Sequence, residues 1–195
     1  MKKRAVVAYV GSALLTLSAG FAHAIDLEPG SWQYGFYGGA YLPDPNELDS
    51  GGTGGARIGY LASEHVALSA SGGYTDLSGS TGSGAAEVKG KWQAYLLDFN
   101  VWYIFFPDRR FSFTVGAGPG YAWADGDFTN NAGNNIDSGH KGDNSLTFNV
   151  AIGPVIKIND RVNLRLMTRL RYFDQRDKND TDKEITLGIA FPLKF

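Results

Sequence analysis

The chain has 195 residues, of which 13% are aromatic, 26 are glycine and none is cysteine. The lack of cysteine excludes a small disulfide-stabilised scaffold, and the glycines follow no three-residue period, which excludes a collagen-like chain. Asp and Glu outnumber Lys and Arg by 20 to 18, and an acidic chain argues against a nucleic-acid partner.

The first 24 residues have the composition of a secretory signal peptide. They contain a basic start at residues 2–4, an apolar run over residues 5–17 and the small-residue pattern Ala22-His23-Ala24. A transmembrane anchor would need about 20 consecutive apolar residues, which this interrupted run does not provide. We therefore predict cleavage after Ala24, which leaves residues 25–195 as the mature chain with 15 basic and 20 acidic residues, a net charge of −5.

Eight segments of the remaining chain alternate apolar and polar residues with a period of two, which is the pattern of strands with two different faces. In chain order these predicted strands are Trp32–Leu42, Gly54–Leu61, Val66–Thr75, Trp92–Phe105, Phe111–Trp123, Leu146–Ile158, Val162–Tyr172 and Glu184–Phe195. The last one would cover about 30 Å of a bilayer if it were tilted by about 40°. A soluble β-sandwich is the alternative, but its strands average about five or six residues.

The connections between these strands alternate in length. The long, polar ones are 43–53, 76–90, 124–144 and 173–182, and the short ones are 62–65, 107–110 and 159–161. This rhythm predicts that residues 25–195 form one all-β domain, an eight-stranded antiparallel up-and-down transmembrane β-barrel with short periplasmic turns. Pro119 and Pro154 fall inside strands, and because proline cannot donate a ladder hydrogen bond, we predict β-bulges at both positions.

Charged residues identify the strand face that lines the lumen. Asp98 and Asn100 share one face of the fourth strand, and a charge facing lipid at mid-depth would cost several kcal/mol. The same reasoning places four arginines and one further acid inside, namely Arg57, Arg165, Arg169, Arg171 and Glu184. Charges enclosed in a narrow lumen must pair, so we predict that these five residues and Asp98 form one charge network.

Aromatic residues on the predicted outer face concentrate near the strand ends, as in interfacial girdles. They are Tyr34, Tyr60, Tyr74, Tyr95, Tyr103, Phe105, Phe111, Tyr121, Trp123, Tyr172 and Phe195. Phe195 also follows Phe191 and Leu193 on one face of the last strand. This ending resembles the terminal signal read by the outer-membrane barrel-assembly machinery, which we therefore expect as a partner.

Several short motifs resemble the eight-stranded transmembrane domain of outer-membrane protein A and its relatives. They are Gly55–Tyr60, Gly73-Tyr74, Tyr95–Phe99 and Val115–Tyr121, and the resemblance covers residues 32–195. It implies a location in the outer membrane of a Gram-negative bacterium, in contact with outer-membrane lipids. It also implies an interior charge network that plugs the barrel and can switch it to a conducting state. Peptidoglycan anchoring is not implied, because that function belongs to a further domain of outer-membrane protein A.

Three classes of function follow from this architecture. The first is a structural or surface-interaction protein that meets an extracellular partner through its loops, and the second is a small, mostly closed pore. The third, a lipid A-modifying enzyme, would need a Ser–His–acid set, and neither His65 nor His140 lies two residues before a serine on a predicted strand. We expect no cofactor and no metal, because the acidic segment from Asp125 to Asp143 lacks the EF-hand spacing of a calcium loop.

Overall fold

The computed structural model describes residues 28–43, 49–81, 88–130, 143–174 and 181–193. The strands are β1 Trp32–Leu42, β2 Gly51–Leu61, β3 Val66–Thr81, β4 Val88–Phe105, β5 Phe111–Asn130, β6 Asp143–Asn159, β7 Val162–Phe173 and β8 Thr181–Leu193. Every strand pairs antiparallel with its neighbours in chain order, and β1 pairs with β8 to close the barrel. The predicted eight-stranded up-and-down barrel is therefore confirmed. Within the described ranges, no helix is both long and apolar enough to cross a bilayer.

The barrel turns its apolar side chains outward and its polar side chains inward. Phe36 and Leu146 on the outer face are each 62% exposed, whereas Asn149 and Arg171 on the inner face are 0% exposed. This arrangement is the reverse of that in a soluble protein, and it places the apolar outer face against lipid. Asp98 points into the lumen and is 1% exposed, as the sequence predicts.

The strand register determines how wide the barrel is. Following paired residues once around the barrel from position 32 leads back to β1 at position 42, a shift of ten residues. The path is Trp32, Tyr60, Leu68, Val101, Ala117, Val150, Leu170, Lys183 and Leu42. Eight strands with this shift are tilted by about 41° and form a barrel of about 8 Å radius. An interior of this size is narrow enough for side chains to fill it.

Two aromatic belts mark the borders of the membrane. At the periplasmic end Trp32 lies 5.2 Å from Tyr60 and Tyr103 lies 4.8 Å from Phe105, measured between ring centroids. At the other end the pairs are Tyr74 with Tyr95 at 5.3 Å and Tyr121 with Trp123 at 4.6 Å. Tyr and Trp favour the membrane–water interface because their rings are apolar while the Tyr O–H and the Trp N–H are polar.

Strands β3, β4 and β5 are longer than the sequence predicts. They have 16, 18 and 20 residues, against 11 in β1 and β2. At about 3.3 Å per residue and a tilt of about 41°, β5 spans about 50 Å, well beyond the hydrocarbon core of about 30 Å. The predicted long connections 76–90 and 124–144 are therefore wrong in extent, because Gly- and Ser-rich strands continue to pair wherever the neighbouring backbone is in register.

The extra length forms a three-stranded extension on the extracellular side, which we call the ridge. It consists of Leu77–Thr81 of β3, Val88–Trp92 of β4 and Asp125–Asn130 of β5. The last β2 pair is Gly52 with Asp76, and the last β6 pair is Asp143 with Ala124. Beyond these pairs, the described parts of β3 and β5 pair in the ladder only with β4.

Pro119 and Pro154 do not form the predicted bulges. The register is the same on both sides of each proline, and the β6–β7 shift that does occur lies between Lys157 and Asn159. Instead the ladder skips residues: β4–β5 pairing stops at Asp98 and resumes at Val101. Each proline directly follows a glycine whose Cα faces the lumen and lies close to the backbone of the neighbouring strand. The missing N–H is therefore accommodated without an inserted residue.

Candidate functional site in the barrel lumen

Glycines on the inner face of β5 create the space for the large lumen side chains of β4. A Cβ at Gly116 would overlap the indole of Trp102, and a Cβ at Gly120 would come within 2.5 Å of Asp98 Oδ1. The nearly bare inner face of β5 is therefore complementary to its neighbour. This allows the Asp98 carboxylate to reach towards the strands on the other side of the lumen.

Two carboxylates and two arginines form a buried ion-pair cluster. Arg171 donates to Asp98 from Nη1 at 2.5 Å and from Nη2 at 2.9 Å, and Arg169 Nη1 donates to Asp98 Oδ2 at 2.9 Å. Arg169 Nη1 also donates to Glu184 Oε2 at 3.1 Å, and Arg171 Nη2 lies 3.7 Å from the same oxygen. All four side chains are at most 3% exposed, and their formal charges cancel. Bidentate pairs of this kind are among the strongest charged contacts in proteins.

Neutral side chains of β6 contribute further hydrogen bonds to this cluster. Arg171 Nη1 donates to Thr147 Oγ1 at 3.3 Å, and Asn149 Nδ2 donates to Asp98 Oδ1 at 3.4 Å and to the Gly118 carbonyl at 3.0 Å. The cluster thus connects β4, β5, β6, β7 and β8 across the lumen. A neutral and cross-linked cluster obstructs the lumen at this level.

Arg57 lies in the lumen, but its contacts are aromatic. Its guanidinium carbon lies 5.6 Å from the ring centroid of Tyr37 and 5.2 Å from that of Trp102. Both distances are within the range of a cation–π interaction. Among the described residues, no carboxylate lies within 4.0 Å of Arg57.

Arg165 also lies apart from the cluster, nearer the periplasmic end. Its Nη2 donates to Oε1 of Gln33, and the described part of the chain places no carboxylate within 4.0 Å of it. Of the six residues predicted to form one network, the structure thus joins Asp98, Arg169, Arg171 and Glu184, and it leaves Arg57 and Arg165 outside.

Apolar layers lie on both sides of the ion-pair cluster. Tyr41, Leu77, Leu96 and Ala122 are buried towards the extracellular end, with Trp92 and Phe173 packed against them. On the periplasmic side Trp102, Ala151 and Met167 form a second buried layer. The lumen is therefore occupied at three successive levels.

Two cavities lie on the periplasmic side of the cluster. The smaller one, of about 40 Å³, is bordered by both Arg57 and Arg165. The larger one, of about 230 Å³, is bordered by Arg165, Lys157 and Asn163 and extends to the periplasmic residues Glu64 and Asp108. We call the larger cavity the vestibule.

The other predicted sites lie outside the lumen. Phe191 is on the outer face of β8 and stacks on Tyr34 with ring centroids 5.2 Å apart. Leu193 is the last residue of β8, and Phe195 lies outside the described residues, so the assembly signal stays a prediction. His65 lies in a periplasmic turn, 5.7 Å from the Tyr103 ring. His140 and most of the acidic segment after Asp125 fall outside the described side chains.

Sequence reasoning missed the neutral partners of the lumen charges. Tyr37, Trp102 and Asn149 all lie on predicted strands, but nothing in a single strand shows which charge each would meet. One usable signal was present, since the run of small inner residues on β5 next to Trp102 on β4 indicates a large ring packed over glycine.

The closed barrel, the apolar outer band, the two aromatic belts and the charged, obstructed lumen together define a transmembrane β-barrel. The chain belongs to the family described as outer membrane protein beta-barrel domain, which matches residues 11–195. It is therefore an outer-membrane protein. A search of curated protein sequences gave no significant match.

Solved structures of small outer-membrane barrels share this fold. The N-terminal β-barrel domain of Pseudomonas aeruginosa OprF has 17% identity and a TM-score of 0.56, covering 85% of this chain and 98% of that one. Neisserial surface protein A has 14% identity and a TM-score of 0.59, with 82% and 96% covered. Ail, the attachment invasion locus protein of Yersinia pestis, has 11% identity and a TM-score of 0.54, with 85% and 99% covered. At these identities the likeness shows the fold alone.

Proposed function

We propose that this protein is a surface-interaction protein that presents its ridge to a partner outside the cell, and that its lumen is a closed structural core. The observation that carries the proposal is the length of β3, β4 and β5. The six residues from Asp125 to Asn130 rise about 15 Å above Ala124, which pairs with the first residue of β6, Asp143. An anchor alone would not need paired strands beyond the membrane.

The obstructed lumen supports a surface role over a permanent pore. An ion crossing the barrel would have to displace the buried ion-pair cluster as well as the apolar layers around Leu96 and Trp102. Breaking a buried ion pair costs about 3–5 kcal/mol. The small gated pore stays the second candidate, because the vestibule already opens part of the path from the periplasmic end.

The charge of the extracellular segments indicates the chemistry of the partner. Residues 43–50, 76–91, 124–144 and 173–183 together contain 13 acidic and 6 basic residues. Ail was crystallised in complex with the heparin analogue sucrose octasulfate, a polyanion. An excess of acidic residues disfavours a polyanion here, so we expect a cationic partner.

A shortened hairpin tests the surface role. Ala124 pairs with Asp143, so replacing residues 125–142 by Asn-Gly joins them through a two-residue hairpin turn. This removes the β5 part of the ridge together with three acidic residues and one basic residue. Cells displaying the wild type should attach to a polylysine-coated surface better than cells displaying the shortened variant, with little attachment to heparin. Equal attachment of both variants at equal surface expression would contradict the proposal.

Conductance distinguishes the two candidate functions. Refolded wild-type protein in a planar bilayer should give no regular channel steps if the lumen is a closed core. Reproducible single-channel steps, absent from protein-free bilayers, would favour the gated pore instead.

A further inference from the structure

We propose that the lumen binds one small inorganic anion of halide size between Arg57 and Arg165, on the periplasmic side of the ion-pair cluster. This site is separate from the proposed surface role, and neither depends on the other.

The charge balance of the lumen points to this site. The two carboxylates of the cluster, Asp98 and Glu184, are both taken by Arg169 and Arg171. Arg57 and Arg165 remain, with no carboxylate within 4.0 Å among the described residues. A positive charge removed from water and left uncompensated is costly, so these two guanidinium groups favour a counter-ion.

The present partners of the two arginines leave hydrogen bonds unmade. A guanidinium has five N–H donors and no acceptor. Arg57 faces the rings of Tyr37 and Trp102, and Arg165 donates to one amide oxygen of Gln33. The Nε of each arginine is buried and has no acceptor. Both guanidinium groups thus have an unpaired N–H donor, and a small anion between them would accept hydrogen bonds from these donors.

The cavity between the two arginines has room for a small ion. Arg57 and Arg165 border the same cavity of about 40 Å³, together with Gln33, Trp102 and Thr186. About 10–15 Å³ of cavity volume on this measure is enough to hold one water molecule, so the space accommodates one halide ion or a few waters.

The vestibule offers the anion a route from the periplasm. It borders Gln33, Trp102 and Arg165, which also border the smaller cavity, and it reaches the turn residues Glu64 and Asp108. Asn163 lines the vestibule as well and is 0% exposed, with neither side-chain atom hydrogen-bonded in the structure. Its amide N–H groups are further donors on this route.

The test is a chloride titration of the refolded protein in lipid nanodiscs, with gluconate replacing chloride at constant ionic strength. Wild-type protein should show a saturable rise of the unfolding midpoint with chloride, and it should broaden the ³⁵Cl NMR line. The variant Arg165→Gln should weaken chloride binding about tenfold or more, since it removes a charged hydrogen-bond donor. Arg109→Gln, at an exposed turn position, is the matched control and should bind chloride as the wild type does.

Either of two results would overturn the proposal. In the first, the wild-type midpoint and ³⁵Cl line width do not depend on chloride, which means that the cavity holds water alone. In the second, Arg165→Gln binds chloride as tightly as Arg109→Gln, which places the ion elsewhere. If Arg165→Gln does not refold, the wild-type comparison between chloride and gluconate decides the question.

Discussion

Replacing Glu184 with glutamine removes one of the two carboxylates of the ion-pair cluster while keeping the shape of the side chain. Arg169 then loses its partner at 3.1 Å, and Arg171 loses one at 3.7 Å. Asp98 alone must compensate two guanidinium groups. Because Glu184 is only 2% exposed, solvent cannot replace the lost charge, and we expect a loss of about 3–5 kcal/mol in the free energy of unfolding.

The assay is urea unfolding of the refolded barrel in lipid vesicles, followed by tryptophan fluorescence and by the shift in gel migration between unheated and boiled samples. If water enters the lumen and hydrates the free arginine, Glu184→Gln should instead show larger, anion-favouring conductance than the wild type. Asp160→Asn, at an exposed turn acid, is the matched control and should change neither property.

A double variant separates charge from packing. Glu184→Gln combined with Arg169→Gln leaves Asp98 paired with Arg171 and restores neutrality. It should therefore be more stable than Glu184→Gln alone, and the interaction energy of the cycle measures the coupling. Identical stability and conductance for Glu184→Gln and Asp160→Asn would refute the claim that the cluster holds the lumen together.

Three further pairs of variants test other parts of the structure. Gly116→Ala places a methyl group against the Trp102 indole and should destabilise the barrel by about 1–3 kcal/mol in urea unfolding; Gly52→Ala, which meets no atom within 4 Å, should not. Phe99→Arg puts a charge on the lipid face midway between the belts and should cost about 2–4 kcal/mol, whereas Phe105→Arg in the periplasmic belt should cost about 0–1 kcal/mol, so equal costs would contradict the membrane position. Deletion of Phe195 should reduce the heat-modifiable protein in outer membranes far more than deletion of Gly133, and equal yields would count against the predicted assembly signal.

The faces of the strands could be predicted from the sequence because alternation alone decides them. A one-residue slip would turn Asp98 to the lipid and Phe99 to the lumen, so the pattern tolerates only one assignment. The ends of β3 and β5 could not be predicted in this way. The ridge is rich in residues that are typical of loops, such as glycine and serine. Its segments of β3 and β5 are strands because they pair with β4.

The pairing of the lumen charges needed information that a strand pattern does not contain. Alternation places Arg57, Arg165 and Asp98 in the same lumen, but their heights along the barrel axis depend on the shift of ten residues around the barrel. That shift follows from the register of all eight strand pairs. Arg57 and Arg165 consequently lie below the cluster. There Arg57 contacts aromatic rings and Arg165 donates to an amide oxygen, and neither pairs with a carboxylate.

The glycines of β5 connect these observations. Because Gly116 and Gly120 leave room on one side of a narrow barrel, Trp102 and Asp98 of β4 extend into the lumen and obstruct it at two levels. Trp102 belongs to the periplasmic apolar layer and its ring also covers Arg57. If the ring moved aside to open the lumen at that level, the Arg57 guanidinium would become exposed. Conduction would therefore require coupled changes at both levels. Among the described residues, the ridge and the cavities below the cluster lie outside these obstructed levels.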